Sequence, residues 1–229
     1  MNADQNWART LRTWWSQGRE AMLGLGVVVM TVFAVEMLSG EFQRLVGSPG
    51  SLAACDLRLL RTLVVRWFNG SPIYPVFKKA IYPPASYVLL WPFMGWLPLA
   101  PARWFWAGTV AVALGVLTTL LVRESGAKTA LERSFVALMV VSFNAVGPTI
   151  GNGQLLLHVL PALLTGVLLL DRKRRPWCAE TVGVILLLFS LVKISGSVPF
   201  FWMVLFLPEG WRPVSLVALG YLGASFFAA

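Results

Sequence analysis

Apolar runs return along this chain from Ala21 to its last residue, so the bilayer has to serve as solvent for most of the fold and not for a single anchor. The runs predict an all-α polytopic helical bundle. Composition agrees: 57% of the 229 residues are hydrophobic and 13% charged, against about 25% charged in soluble domains. A soluble enzyme, a nucleic-acid-binding domain and a secreted disulfide scaffold are excluded. Cys55 and Cys178 are far apart, and His158 is the one histidine, so no multi-histidine metal site exists and no cofactor is expected.

Nineteen Lys and Arg against ten Asp and Glu give a formal charge of +9. In a membrane chain that excess reports topology and contact with membrane lipids, not a nucleic-acid partner. Residues 1–20, with Arg9, Arg12 and Arg19, read as a cytoplasmic segment ahead of a retained first span at 21–38, because no small-residue cleavage site follows. The basic connectors at 123–133 and Arg172–Arg175 read as cytoplasmic too. The loop 39–83 and the GNGQ turn at 151–154 then fall outside, and the expected location is the cell membrane, crossed several times.

The membrane domain, 21–229, is expected to hold about six to eight helical segments. Within loop 39–83, Leu57, Leu60, Val64 and Trp67 recur at helical spacing beside Arg58, Arg61 and Arg66, the pattern of an interfacial helix. Residues 84–98, interrupted by Pro92, predict a short kinked span or a re-entrant pair of half-helices. Residues 104–122 form a cleaner span, and 134–170 are expected as two helices divided by a glycine turn, GPTIGNGQ. Residues 177–207 are too short for two complete spans and predict a broken helix or a helix pair meeting at Lys193. The last run, 214–229, reads as a span cut short. No internal repeat and no Walker-type phosphate loop is present.

Asp56, GSPIYP at 70–75, YPP at 82–84, Leu97–Pro98, Trp104, GNGQ at 151–154 and Lys193 follow one another in an order that resembles the C-type membrane glycosyltransferases, in particular the polyprenol-phosphate-mannose-dependent mannosyltransferases. Two positions depart from the family pattern: Leu157 stands where Asn is common, and Ile194 where Pro is common. The resemblance implies transfer of a sugar, mannose by family expectation, from a polyprenyl-phosphate donor to a lipid or glycan acceptor at the extracytoplasmic face. It also implies that Asp56 acts on the acceptor hydroxyl, as a carboxylate that accepts a proton while an oxocarbenium-like centre develops.

Each candidate has a plainer alternative. Asp56 precedes an apolar-periodic run, where an N-cap is common. Lys193, Arg58 and Arg61 are candidates for the donor phosphate, or for lipid head groups. Gln154 and His158, four apart and expected on one helix face, either bind substrate or join helices by hydrogen bonds. Glu36, in a span, is a secondary substrate candidate or a solvated acid. Tyr74, Tyr82 and Trp91, Trp96, Trp104 and Trp106 read as an interfacial belt that includes a sugar-stacking ring. A lipid or small-solute transporter, or a non-catalytic membrane subunit, is the rival class; a transporter calls for matched broken helices, which the sequence lacks.

Overall fold

The computed structural model describes residues 3–47, 53–74, 82–171, 176–207 and 209–228, with side chains from Gly18 onward. The basic cluster Arg172–Arg175 and the lysines of loop 39–83, Lys78 and Lys79, lie outside those residues. Among the described residues the chain is an all-α polytopic helical bundle without strands. Three runs are long and apolar enough to cross a membrane: Gly18–Val46, Leu99–Glu124 and Trp177–Phe206. A bent pair, Ala130–Val141 with Val146–Asn152, makes a fourth.

Helix α1, Ala3–Val46, has 44 residues, about 66 Å at 1.5 Å per residue, far longer than a hydrocarbon core of about 30 Å. It runs through the interval expected to be loop from Ser39 on, because no proline occurs before Pro49. Glu41 and Arg44 also pair along the helix at 2.8 Å. Helix α2, Cys55–Phe68, carries the expected stripe: Leu57, Leu60, Leu63 and Val64 are buried, and Trp67 packs against the same core.

Helix α3, Pro84–Met94, is a single piece of 11 residues with Pro84 at its first position and Pro92 inside. About 16 Å long, it is too short to cross a hydrocarbon core of about 30 Å by itself. One helix stands where a kinked span or a pair of half-helices is expected, and it lies beside α2. Tyr87 meets Trp67 at 5.2 Å, Trp91 meets Phe68 at 5.5 Å, and Arg61 Nε donates to the Leu97 carbonyl at 2.7 Å. Helix α4, Leu99–Glu124, then starts where α1 ends, since Arg103 donates to the carbonyls of Leu45 and Arg44. A cation there complements the α1 C-terminus.

Helix α5, Ala130–Val141, opens on a capping box between Thr129 and Glu132, and Arg19 of α1 pairs with the same Glu132. Helix α6, Val146–Asn152, is bent 49° from α5. At its far end Arg44 donates to Asn152 at 3.1 Å, so α1 and the α5–α6 pair run the same way. The segment expected to be a glycine turn is therefore mostly helix, and its glycines admit neighbours. Glu41 and Arg44 occupy the space a Gly151 side chain would need. Gly153, at φ +71°, would bring a Cβ to 2.6 Å from Leu57 Cβ. Gly153→Ala carries both the left-handed backbone cost and that clash, and is expected to cost about 1–3 kcal/mol. Thermal unfolding in detergent checks this, a midpoint equal to the parent's being the contrary result.

Helix α7, Leu156–Leu170, packs antiparallel on α8, Trp177–Ser190, through Gly166 and Gly183, whose missing side chains let the two backbones approach. A 3-10 turn, Leu191–Lys193, follows, and α9, Ile194–Phe201, starts after the non-helical backbone of Lys193 (φ −116°, ψ 79°). A second 3-10 segment, Trp202–Phe206, leads toward α10, Trp211–Ala228. Arg212 at the start of α10 pairs with Glu180 at the start of α8 at 2.9 Å, and Gly220 faces Leu188. Both helices begin at one end, so the chain turns back between Ser190 and Trp211, and its helical run is broken at Lys193, where the sequence predicts a broken helix or a helix pair.

Candidate functional site

The ends of α1 and α6, all of α2 and α3, the start of α4 and the Lys193 break gather at one end of the bundle. Ala54, not Asp56, holds the N-cap of α2: it is left-handed (φ 49°), no side chain caps the helix, and its N–H donates to Gly151 O at 2.9 Å. The expected capping role of Asp56 is thus corrected. Asp56 sits in the first helical turn, half-buried, and its carboxylate makes no ion pair among the described residues. Cys55 Sγ approaches its Oδ1 at 4.0 Å. Tyr82 lies within reach of its charge: burial first, and then the Asp56 carboxylate, push the Tyr82 phenol above its ordinary range.

Arg58, one turn along α2, lies close enough to Arg103 for the two charges to interact. Arg61 has its Nε engaged by the Leu97 carbonyl, which fastens α2 to the entrance of α4. Lys193 closes the 3-10 turn, its carbonyl accepting from Ser197 at 3.3 Å. Its half-buried ammonium makes no ion pair among the described residues. One residue earlier, the Val192 carbonyl accepts from Ser86 of α3 at 2.9 Å. Ser86 thus ties α3 to the Lys193 break, and Tyr82, just ahead of α3, feels the charge of Asp56.

Gln154 and His158 do not share a helix face. Gln154 lies in the turn before α7, its N–H bonded to Thr149 O at 2.9 Å. His158 belongs to α7, where Nε2 lies 3.0 Å from Thr109 Oγ1 and the ring packs at 4.4 Å on Trp106. Its Nδ1 is buried and has no hydrogen-bond partner among the described residues. Glu36 is exposed on α1 and no side-chain contact brings it to the others. Trp91, Trp96 and Trp104 of the expected aromatic belt are exposed, whereas Trp106 is 3% exposed and belongs to the core.

The tyrosines form a group that the sequence did not announce. Tyr74 donates to the Tyr82 carbonyl and lies 3.5 Å from the Tyr87 hydroxyl. The Tyr221 hydroxyl, from α10, is buried beside Ser86, whose hydrogen is already given to Val192. All four tyrosines of the chain thus meet at α3. Tyr74 and Tyr82 were candidates for their motifs, and Ser86 and Tyr87 directly follow YPP. Tyr221 sits inside an apolar run with no local signal.

An acid, several cations and a set of hydroxyl-bearing rings at one end of an apolar bundle make a class of site suited to moving a polar group. A family model described as Glycosyltransferase family 87 matches residues 80–229. The chain belongs to that family, a family of membrane glycosyltransferases. No curated protein and no solved structure matches it. The match begins after α2, so Asp56, Arg58 and Arg61 lie outside it while Gln154, His158 and Lys193 lie inside.

Proposed function

We propose that the chain transfers a sugar, mannose by resemblance, from a polyprenyl-phosphate donor to a lipid or glycan acceptor at the extracytoplasmic face. The observation that carries this reading is the placement of Asp56 and Lys193. Among the described residues one is an acid without an ion pair and the other a cation without one, and both stand at the end of the bundle where α3 packs. An uncompensated ammonium in such a setting is costly unless a phosphate, a carboxylate or water meets it.

In this mechanism the acceptor hydroxyl gives its proton to the Asp56 carboxylate as its oxygen bonds the anomeric carbon. The bond from that carbon to the phosphate oxygen breaks, and polyprenyl phosphate departs with both electrons of the bond. Lys193 stabilises the charge that grows on the phosphate, with Arg58 and Arg61 as further candidate cations. Gln154, Tyr74 and Tyr82 are candidates to hold sugar hydroxyls.

The test is a comparison of donors. Purified protein in liposomes is given either polyprenyl-phosphate mannose or a nucleotide-linked mannose together with membrane lipid extract. Transfer from the lipid-linked sugar alone is expected; use of the nucleotide sugar would refute the donor assignment. Orientation is checked separately in a background with Cys55 and Cys178 replaced by serine. Single cysteines at Ser71 and Asn152 are expected to react with an impermeant thiol reagent added outside intact cells. Reaction at both only after permeabilisation would place the site on the other face.

A further inference from the structure

The first turn of α2 is held differently from the rest of that helix. Leu57, Leu60, Leu63 and Val64 bury its apolar side, and apolar packing is non-directional, so it keeps α2 against the bundle without fixing how its first turn is aimed. Asp56 stands in that turn. No side chain caps it, and Ala54, at the cap, is fully buried with a left-handed backbone (φ 49°). A residue with a Cβ keeps that conformation only where its surroundings impose it. Here the directional contact is a single bond, from the Ala54 N–H to Gly151 O at 2.9 Å. The aim of the Asp56 carboxylate therefore depends on where the last turn of α6 stands.

That turn is held by a polar clamp from α1. Arg44 donates to Asn152 Oδ1 at 3.1 Å while its Nε pairs with Glu41 Oε2 at 2.8 Å, and Gly151, having no side chain, lets both groups reach its backbone. A guanidinium is a planar fork, so two such contacts fix its direction as well as its distance. Arg44 is fastened in turn, because Arg103 of α4 donates to the carbonyls of Arg44 and Leu45. On the other side Gly153, just past α6, packs against Leu57 in the first turn of α2. A movement of the clamp is thus passed to that turn through Gly151 and Gly153. Apolar side chains of similar volume would hold α1 to α6 as well as this partly buried ion pair does. What the polar clamp adds is direction.

We propose that Arg44 is a positioning residue for the transfer reaction: through Asn152 and the Gly151 carbonyl it aims the Asp56 carboxylate at the acceptor hydroxyl, without touching substrate itself. This assignment rests on the reading of Asp56 as the proton acceptor proposed above. Glu41 orients the guanidinium, and Asn152 is its contact on α6, a task separate from that of Gln154 two residues on. Misplacing a reacting group by about 1 Å costs on the order of 10²-fold in rate. A clamp that only aims the base acts in the transition state, so its loss lowers kcat and leaves the KM for donor unchanged.

The experiment uses the full chain in liposomes with polyprenyl-phosphate mannose and membrane lipid extract, in a Cys178→Ser background where Cys55, in the first turn of α2, is the one thiol. Two quantities are measured: kcat with the donor KM, and the rate at which N-ethylmaleimide alkylates Cys55, which needs no turnover. Arg44→Gln and Asn152→Leu are each expected to lower kcat about 10- to 100-fold with an unchanged donor KM, and to speed Cys55 alkylation several-fold. Asn152→Asp keeps an acceptor for Arg44 and should keep most of the rate; Asn152→Ala serves if the leucine variant does not fold. Added to Asp56→Asn, neither change should lower the residual transfer further, since the clamp then has no base to aim. The proposal is overturned if the Arg44 and Asp56 losses multiply, if Asn152→Asp loses as much as Asn152→Leu, or if Cys55 alkylation stays at the parental rate. Failure of the base reading looks different: Asp56→Asn alone then transfers at the parental rate. That result would end the positioning role too, while faster Cys55 alkylation in the clamp variants would leave the hold of Arg44 on the first turn standing.

Discussion

Asp56→Asn is expected to reduce sugar transfer by about 10²–10⁴-fold, the range that a general base contributes, with protein abundance and membrane insertion unchanged. The amide preserves size and one carbonyl oxygen but cannot take the acceptor proton. Folding should hardly notice, because Ala54 already occupies the cap of α2 and its N–H is bound by Gly151 O. What remains is the interaction of a carboxylate with the helix N-terminus, worth about 0.3–1 kcal/mol. Steady-state transfer with lipid-linked donor, normalised to inserted protein, measures the effect. Parental turnover would remove Asp56 from the chemistry, and loss of the protein itself would make it structural.

The second large effect is expected at Lys193. Lys193→Met keeps an unbranched apolar stem and removes the charge. If the ammonium stabilises the departing phosphate, the loss is about 2 to 4 kcal/mol of transition-state stabilisation, roughly 30- to 1000-fold in kcat/KM. The backbone break at Lys193 does not depend on the ammonium, since Ser86 and Ser197 bond only the carbonyls of Val192 and Lys193. Lys193→Arg should retain part of the rate, since the charge is kept while its shape and reach change. A Met variant with the parental rate and donor affinity would leave Lys193 as a cation that merely reaches for head groups, and the phosphate would then fall to Arg58.

Much of the fold was legible because bilayer-facing sequence is strongly constrained. Helix α2 was readable from Leu57, Leu60 and Val64, which are buried as their spacing requires. The break at Lys193 was readable from polar residues in an apolar run too short for two spans. Other features depended on partners distant in sequence. Gly147, Gly151 and Gly153 resemble a turn in the linear sequence, yet the first two are helical and make room for Met37 and for Glu41 with Arg44. The Asp56 cap failed because Ala54 adopts a left-handed backbone held by Gly151, a contact about a hundred residues away that no local rule reports. α3 looked like a span by hydropathy, but packing of Tyr87 and Trp91 on α2 holds it beside that helix.

The candidate site was legible only where a motif carried it. Asp56, Tyr82 and Lys193 share one end of the bundle, whereas Gln154 and His158 part company because α7 begins at Leu156. Tyr221 comes from an apolar run and joins Ser86 only because α10 starts beside Glu180 and runs parallel to α8. That register is a property of the folded bundle.

The most direct measurement of sugar transfer uses a doubly labelled donor, polyprenyl-phosphate mannose with one isotope in the sugar and another in the prenyl chain, in liposomes containing the protein and membrane lipid acceptors. The expected result is separation of the two labels: mannose appears in a new lipid product, polyprenyl phosphate is released in a one-to-one ratio, and both signals fall together in Asp56→Asn. A donor that changes leaflet with both labels still joined would show a lipid transporter and contradict the assignment of glycosyl transfer to this chain.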